Sequence, residues 1–193
     1  MARPRKFDEE EAVQAALEAF WVAGYEATST QDLCDATGLG RSSIYNTFTS
    51  KRDLFLRALR RYIEHMTSLQ VANLESDRPV HDKIRDLLAV VVAEETDPSG
   101  DRRGCLVVNT AIELAGRDPE VAQVLKRDYE RRHAAIKAAI DTGRLDGDVD
   151  RDKDAGALAH AVIGTVSALR LAARSGVDRA GLEAIVNTTL GAL

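Results

Sequence analysis

A glycine-containing turn between two short helical segments constrains the fold of this chain more than any other feature of its sequence. Gly38 ends the segment 29–37, and Gly40 stands at the N-cap of the segment 41–48. Glycine closes a helix in the left-handed conformation at little cost, and it is also an acceptable N-cap. Two short helices joined by a turn of about three residues are typical of the helix-turn-helix motif.

The segment 41–48 has an unusual composition for a helix. Ile44 and Phe48 are one helical turn apart and are expected to point inward, whereas Ser42 and Asn46 lie on the opposite side. Serine, asparagine, tyrosine and threonine are middling to poor helix formers. A helix that presents hydroxyl, amide and phenol groups on its outer side indicates a surface that binds another molecule.

The rest of the sequence is also helical in pattern. Residues 8–23 carry apolar side chains at helical spacing behind an acidic first turn. Ser29 with Asp32, and Ser50 with Asp53, have the spacing of capping boxes that start the second and fourth helices. Further helices are predicted over residues 80–96, 105–115, 119–142, 153–174 and 179–192. The pattern therefore predicts an all-α fold of about nine helices.

Charge and hydropathy narrow the class of protein. The net charge of the chain is −5, but residues 1–61 hold nine Lys/Arg and nine Asp/Glu, so the acidic excess lies further along the chain. A local basic patch for nucleic acid is therefore compatible with the composition. The N-terminus is charged, and we find no apolar run that approaches the ~20 residues of a membrane span. We expect a soluble cytoplasmic protein that does not bind membranes.

Cysteine and histidine usage gives no sign of a metal site or a cofactor. Cys34 and Cys105 lie far apart without metal-ligand spacing, which argues against a disulfide framework and a zinc site. The four histidines are isolated in the sequence: His65, His81, His133 and His160. With no paired carboxylates and no nucleophile–base pair, we expect neither a metal nor a cofactor, and no enzyme activity.

The sequence resembles a known family over most of its length. The stretch AVQAALEAFWVAGYEATSTQDLCDATGLGRSSIYNTFTSKRDLFLRAL is similar to the N-terminal domain of the TetR family of transcriptional regulators. It has Gly-Tyr after the first helix, Ser-Thr before the second, Ala-x-Gly-Leu at the turn, and Ile-Tyr-x-x-Phe-x-Ser-Lys after it. The stretch RGCLVVNTAIELAGRDPEVAQVL resembles a branch of the family in which Gly-Cys-Leu starts the sixth helix.

The resemblance implies a homodimeric repressor with two domains. Residues 1–52 would form the helix-turn-helix DNA-binding domain, and residues 53–193 the ligand-binding and dimerisation domain. Such a repressor binds a palindromic double-stranded DNA operator and is released by a small-molecule effector, here expected to be largely apolar. The residues implied to contact DNA are Thr28, Ser29, Thr30, Arg41, Ser42, Ser43, Tyr45, Asn46 and Lys51.

Two features qualify the implied DNA surface. Many family members have Ser or Thr where this chain has Gly40, so we expect a phosphate contact common in the family to be either missing here or made by the backbone alone. At the other end of the surface, Arg3, Arg5 and Lys6 form a candidate basic arm along the DNA backbone or minor groove.

The resemblance also implies an effector pocket and a dimer interface in the larger domain. The predicted pocket residues are Met66, Leu69, Leu88, Val92, Cys105, Val108, Asn109, Ile112, Tyr129 and His133. Residues 153–174 are rich in small residues and apolar nearly all round, which favours burial against a second subunit. The predicted interface residues are Leu158, Val162, Val166, Leu169, Leu182, Ile185, Val186 and Leu190.

Three alternatives remain open at this point. Cys105 begins a helix just after Arg102 and Arg103, which favours a reactive thiolate and a repressor that senses electrophiles or oxidants; plain packing explains the same residue. Cys34 is expected to be a small core residue. The second alternative is an enzyme that uses the C-terminal cavity, and the third is a helical interaction module without DNA binding. Neither would bind specifically to the DNA upstream of the protein's own gene.

Overall fold

The computed structural model describes residues 8–100 and 103–193, and within those ranges it contains nine α-helices and no strand. The helices are α1 (Glu9–Ala23), α2 (Thr30–Thr37), α3 (Arg41–Phe48), α4 (Lys51–Leu74), α5 (Val80–Thr96), α6 (Leu106–Leu114), α7 (Pro119–Asp146), α8 (Ala155–Arg174) and α9 (Arg179–Ala192). The all-α prediction is confirmed. Arg3, Arg5 and Lys6 of the predicted basic arm, and Arg102, lie outside the described residues.

The chain forms two compact units, and each of them consists of two separate segments of the chain. The first unit consists of the chain up to His65 together with Cys105–Leu125, and the second of Met66–Gly104 with Lys126–Leu193. Helices α4 and α7 each begin in the first unit and end in the second. The predicted division at residue 52 stays a prediction, because compactness does not show which residues bind DNA.

Aromatic side chains organise the core of the first unit. Phe20 of α1 packs edge-on against Phe55 of α4, with ring centroids 5.1 Å apart, and Tyr25 lies 4.9 Å from Phe55. Leu33 of α2 is fully buried as well. Gly24, with φ +84°, closes α1 as the sequence predicted. The helix-turn-helix segment is therefore built on a core shared by α1, α2, α3 and the start of α4.

Large aliphatic side chains of α5, α7, α8 and α9 form the core of the second unit. Helix α7 reaches Asp146, four residues beyond its predicted end, so the predicted loop at 142–152 starts too early. At Gly143, within this extension, a Cβ atom would lie 2.5 Å from Val80 Cγ1, so the glycine lets α7 and α5 approach closely. The other predicted helix ends agree with the structure within about two residues.

Helix α8 corrects the expectation about apolar runs. Among the described helices it is the one that is long and apolar enough to cross a membrane by length and composition, and 39% of its most apolar window is buried inside the protein. Core helices of globular proteins meet the same criteria. Seven of its side chains are buried, including Val162 and Leu169, which are fully enclosed.

The predicted dimer-interface residues face the core of their own unit to a large extent, and the interface itself stays a prediction. Six of them belong to the core of their own unit, and the other two pack partly buried against it. The buried six are Val162, Val166, Leu169, Leu182, Val186 and Leu190, and the other two are Leu158 and Ile185. The exposed side of the two helices carries small residues instead, namely Ala157, Ala161, Gly164, Ala168, Ala184, Thr188 and Gly191.

Candidate nucleic-acid interface

Helix α3 is held in place by two side chains. Ile44 is 1% exposed and Phe48 is completely buried. The other α3 residues are weaker helix formers than alanine by up to about 0.7 kcal/mol each, whereas full burial of an isoleucine or phenylalanine contributes about 1.5–3 kcal/mol. Packing therefore outweighs poor propensity. Gly40 is the N-cap and supplies no side-chain hydrogen bond, as the sequence predicted.

The outer side of α3 is polar and accessible. Arg41, Ser42, Tyr45 and Asn46 are exposed, while Ser43 is half-buried. The predicted division of this helix into an inner apolar side and an outer polar side is confirmed. Its outer groups include a guanidinium, a hydroxyl, a phenol and an amide, which are side chains that hydrogen-bond to base edges and phosphates in the major groove.

Tyr45 connects α3 to α2. Its hydroxyl lies 3.0 Å from Oγ1 of Thr30, and the guanidinium of Arg41 lies 6.0 Å from the centre of its ring. The hydrogen bond with Thr30, and then Arg41, hold the pKa of Tyr45 below its ordinary value. These contacts join both short helices into one polar surface, hereafter the α2–α3 surface: Ser29, Thr30, Arg41, Ser42, Ser43, Tyr45 and Asn46.

The start of α2 is fixed by the predicted capping box. Ser29 Oγ accepts the N–H of Asp32 at 3.1 Å, and the N–H of Ser29 donates to Asp32 Oδ2 at 2.7 Å. These hydrogen bonds hold the pKa of the Asp32 carboxyl below its usual range. Thr28 differs from its neighbours and from the prediction, since it is fully buried and its hydroxyl donates to the Gly24 carbonyl at 2.6 Å. Its side chain is therefore not accessible to DNA.

Lys51 begins α4 and is held against the loop between α1 and α2. Its Nζ lies 3.3 Å from the carbonyl oxygen of Glu26 and 4.5 Å from the ring centre of Tyr25. Ser50 Oγ accepts the N–H of Asp53 at 3.0 Å, so half of the second predicted capping box forms. The other half is prevented because the N–H of Ser50 donates to the carbonyl of Phe48.

The other cations of α4 are neutralised within the first unit. Arg52 makes a bidentate ion pair with Asp118, at 2.6 and 2.8 Å, and a further one with Glu120 at 2.9 Å. The Arg52 guanidinium lowers the pKa of the Asp118 carboxyl to about 2. Arg60 also pairs with Glu120, at 2.9 Å. Arg57 and Arg61 pair with Glu9 and Glu10 of α1. The pairs with Asp118 and Glu120 could not be predicted from sequence spacing, because the two residues of each pair lie 60 to 68 positions apart.

Two family models match this chain. Residues 12–58 match the model of bacterial regulatory proteins, tetR family, and residues 80–189 match a tetracyclin repressor-like C-terminal domain. The chain belongs to the TetR family. It is a DNA-binding transcriptional regulator of this family, in which dimers and small-molecule effectors are typical.

Relatives and solved structures agree with the TetR assignment. An uncharacterised HTH-type transcriptional regulator of Bacillus subtilis strain 168, YezE, is 34% identical over the full length of both chains. The HTH-type transcriptional repressor ComR of Escherichia coli K12 is 29% identical and covers 97% of this chain and 90% of its own. A cysteine mutant of the TetR-family regulator CifR, complexed with 26-bp operator DNA, is 30% identical with a TM-score of 0.85 over 98% of both chains.

The predicted effector-pocket residues of this TetR-family chain fall into different environments. Leu88 and Val92 are core residues of the second unit, 0% and 3% exposed, whereas Leu69 is 58% exposed. Met66 is half-buried, and so are Val108 and Asn109 of the first unit; Ile112 is 78% exposed. One cleft of about 600 Å³ lies between α5 and the α8–α9 turn, and another of about 470 Å³ lies between α1 and α2. None of the predicted pocket residues lines either cleft.

Tyr129 and His133 belong to a ring cluster that the sequence did not predict. The hydroxyl of Tyr129 lies 2.7 Å from Nδ1 of His160, and the ring centres of His133 and His160 are 4.1 Å apart. His133 Nε2 is 3.2 Å from the carbonyl oxygen of Gly156. These histidines are isolated in the sequence but not in the fold: residues about 30 positions apart meet where α7 packs on α8. Within the described ranges, no three potential ligands of His, Cys, Asp or Glu are grouped around a metal position.

Cys105 is the N-cap of α6 and is half-buried. The hydroxyl of Tyr62 donates to its Sγ at 3.6 Å, and the Tyr62 ring packs edge-on against Trp21. Cys34 is half-buried on α2, next to the fully buried Leu33.

Proposed function

We propose that this TetR-family regulator is a cytoplasmic homodimeric repressor without enzyme activity, and that it reads a palindromic operator with the α2–α3 surface. The observation that carries the proposal is the contact of Tyr45 with both Thr30 and Arg41, which links the polar groups of α2 and α3. The apolar side chains of α3, Ile44 and Phe48, are buried beneath this surface. A recognition helix needs rigid placement of its polar groups, because hydrogen bonds to base edges depend on distance and direction.

Each polar group has a role consistent with its position. Asn46 is suited to the paired acceptor and donor of adenine, and Arg41 to the two acceptors of guanine or to a phosphate. The exposed N-terminus of α2 and the Lys51 ammonium are suited to phosphates, which set the register of the protein on the duplex. Ser42, Ser43 and Tyr45 complete the contact set, which omits Thr28. Two such helices in a dimer would meet half-sites about 34 Å apart, or a multiple of this.

The exposed small residues of α8 and α9 are proposed as the dimer interface. Ala161, Gly164 and Ala168 are about one helical turn apart on one side of α8, and a second helix can approach such a side closely. A small-molecule effector of largely apolar character, bound within the C-terminal domain, would favour a state with lower operator affinity. Effector and operator would then weaken each other's binding by the same factor.

The test is a gel-shift measurement with a labelled duplex from the upstream region of the protein's own gene. Wild-type protein should bind it specifically, and binding should weaken steeply as salt rises. The double variant Tyr45→Ala and Asn46→Ala should lose binding while size-exclusion chromatography still shows a dimer. The proposal is refuted if the double variant binds as tightly as the wild type.

A second candidate function is supported by the Tyr62–Cys105 hydrogen bond. In this function the Cys105 thiolate displaces a leaving group from the carbon of a small electrophile, so that a carbon–sulfur bond forms as the bond to the leaving group breaks, and the repressor leaves its operator. Treatment with iodoacetamide should then weaken operator binding of the wild type and of Cys34→Ser, but not of Cys105→Ser. Equal loss of binding in all three proteins, or no loss in any, would exclude this function.

A further inference from the structure

A carboxylate from α6 binds the loop that leads into α2. Glu113 accepts hydrogen bonds from the backbone N–H groups of Tyr25 and Glu26, at 3.0 and 2.7 Å, one on each carboxylate oxygen. Gly24 leaves room for it, since a Cβ atom there would lie 3.1 Å from a Glu113 oxygen. Successive backbone amides of this kind form an anion-binding site, and here the anion is a side chain of the protein itself.

The same loop holds Lys51 on its other side. The Glu26 carbonyl accepts from Lys51 Nζ at 3.3 Å, and the Tyr25 ring lies under the ammonium at 4.5 Å. Glu113 and Lys51 therefore contact the same two residues, Glu113 through their N–H groups and Lys51 through a carbonyl and a ring. Because Glu113 fixes the backbone of Tyr25 and Glu26, it also fixes the position of the carbonyl and the ring that Lys51 contacts.

A second acidic residue near the α6–α7 turn holds the neighbour of Lys51. Asp118 caps α7 by accepting the N–H groups of Glu120 and Val121 at 3.0 and 3.1 Å, and it binds Arg52 with both oxygens. The first turn of α4 is thus attached to α7 through Arg52 and to the α1–α2 loop through Lys51. The segment Cys105–Leu125 belongs to the same unit as these contacts.

We propose that Glu113 is a positioning residue for DNA binding, which sets the place of Lys51 through the loop of Tyr25 and Glu26. Glu113 itself touches no DNA. The inference rests on the proposed function, because it takes Lys51 as a phosphate contact of the operator complex. It adds a specific requirement, namely that a residue of α6 contributes to operator affinity only as long as Lys51 is present.

A double-mutant cycle tests this requirement. The probe is a duplex that the wild-type dimer selects from a randomised pool, and the variants are Glu113→Gln, Lys51→Ala and the combination. Glutamine keeps an acceptor for one N–H group but places an NH₂ group against the other. We expect Glu113→Gln to weaken binding about tenfold in the wild-type background and less than about threefold in the Lys51→Ala background. Glu113→Ala, which keeps no acceptor, should weaken binding more than Glu113→Gln.

The matched control is Glu130→Gln, which removes the same charge from an exposed carboxylate on α7 that pairs with Lys126 at 3.7 Å. It should leave operator affinity unchanged in both backgrounds. The inference is overturned if Glu113→Gln has no effect, or if its factor is the same with and without Lys51. If the wild-type dimer selects no duplex at all, the proposed function fails first, so the two failures can be told apart.

Discussion

Helices α3 and α8 both have an outer side that is proposed to bind another molecule, yet the sequence identifies that side in only one of them. In α3, two apolar residues among polar ones leave a single inward side, and Ile44 and Phe48 are buried as predicted. In α8 nearly every residue is apolar, so periodicity cannot fix the rotation of the helix. Most of its large aliphatic side chains are buried in the core, whereas Ala157, Ala161, Gly164 and Ala168 are exposed, as is Leu171. The difference shows that residue size has to replace polarity as the criterion in such a helix.

The largest expected effect is the loss of the dimer after a substitution on the exposed side of α8. Gly164 has open space where a Cβ atom would be, so Gly164→Leu is accommodated within a single chain. Leucine would prevent close approach of a second subunit if the small-residue side is the interface. We expect Gly164→Leu to convert the dimer to a monomer in analytical ultracentrifugation and to weaken operator binding at least about 100-fold. A variant that stays fully dimeric would contradict the proposed interface.

The opposite side of the same helix should respond through stability. Val162 is completely buried in the core of its unit. Val162→Ala leaves a cavity and is expected to lower the free energy of unfolding by about 2 kcal/mol in urea titration at fixed protein concentration. Ser167→Ala, on the exposed side of α8, is the control and should change it by less than about 0.5 kcal/mol. Equal effects of the two changes would mean that the assignment of sides is wrong.

The arginines of the first unit also fall into two groups. Some lie on the α2–α3 surface, and others are paired with carboxylates of the same unit. Arg41 stacks near Tyr45 on the α2–α3 surface, whereas Arg60 is paired with Glu120. Each phosphate contact contributes about 0.9 to the slope of log affinity against log salt concentration. Arg41→Ala should lower that slope by about 0.9 per subunit, and Arg60→Ala should leave it unchanged. The reverse result would show that the ion pairs open when DNA binds.

The smallest expected effect is the change in thermal stability when Asp118, the acidic partner of Arg52, is replaced. Because the pKa of Asp118 is about 2 in the folded protein against an ordinary 3.8, its carboxylate stabilises the fold above about pH 4. That stabilisation is lost as the pH falls towards 2. Asp118→Asn should therefore have a lower Tm than wild type at pH 7, and the difference should shrink on going from pH 4 to pH 2. Asp77→Asn, at an exposed loop position, is the control for the change in charge. A difference that does not depend on pH would contradict the assigned cause.

What the sequence could predict depends on how local the determining contacts are. The capping box of Ser29 and Asp32 lies within one helical turn, so its residues could be read from spacing alone. The burial of Thr28 could not, because a hydroxyl beside a helix start has the same pattern whether it donates to DNA or to its own chain. The contacts of Glu113 with the loop at 24–26 join residues 87 and 88 positions apart, and only the fold brings them together.

The predicted effector-pocket residues also show that burial cannot be predicted from local sequence alone. The resemblance to the TetR family predicted a pocket, but apolar pattern does not separate a core residue such as Leu88 from an exposed one such as Leu69. The contact between His133 and His160 depends on how α7 packs against α8, which is not encoded in either helix alone. Local rules therefore predict which side of α3 is buried, whereas burial in the second unit depends on how its helices pack.

The central claim is that the outer side of α3 reads base sequence, and its most direct test is a specificity ratio. Operator affinity is divided by affinity for a random duplex at the same salt concentration, for wild type and for Asn46→Ala. We predict that the ratio falls at least about tenfold in Asn46→Ala, because one base contact is worth about 1–3 kcal/mol, while affinity for random DNA is unchanged. An unchanged ratio, or an equal loss on both duplexes, would contradict the claim.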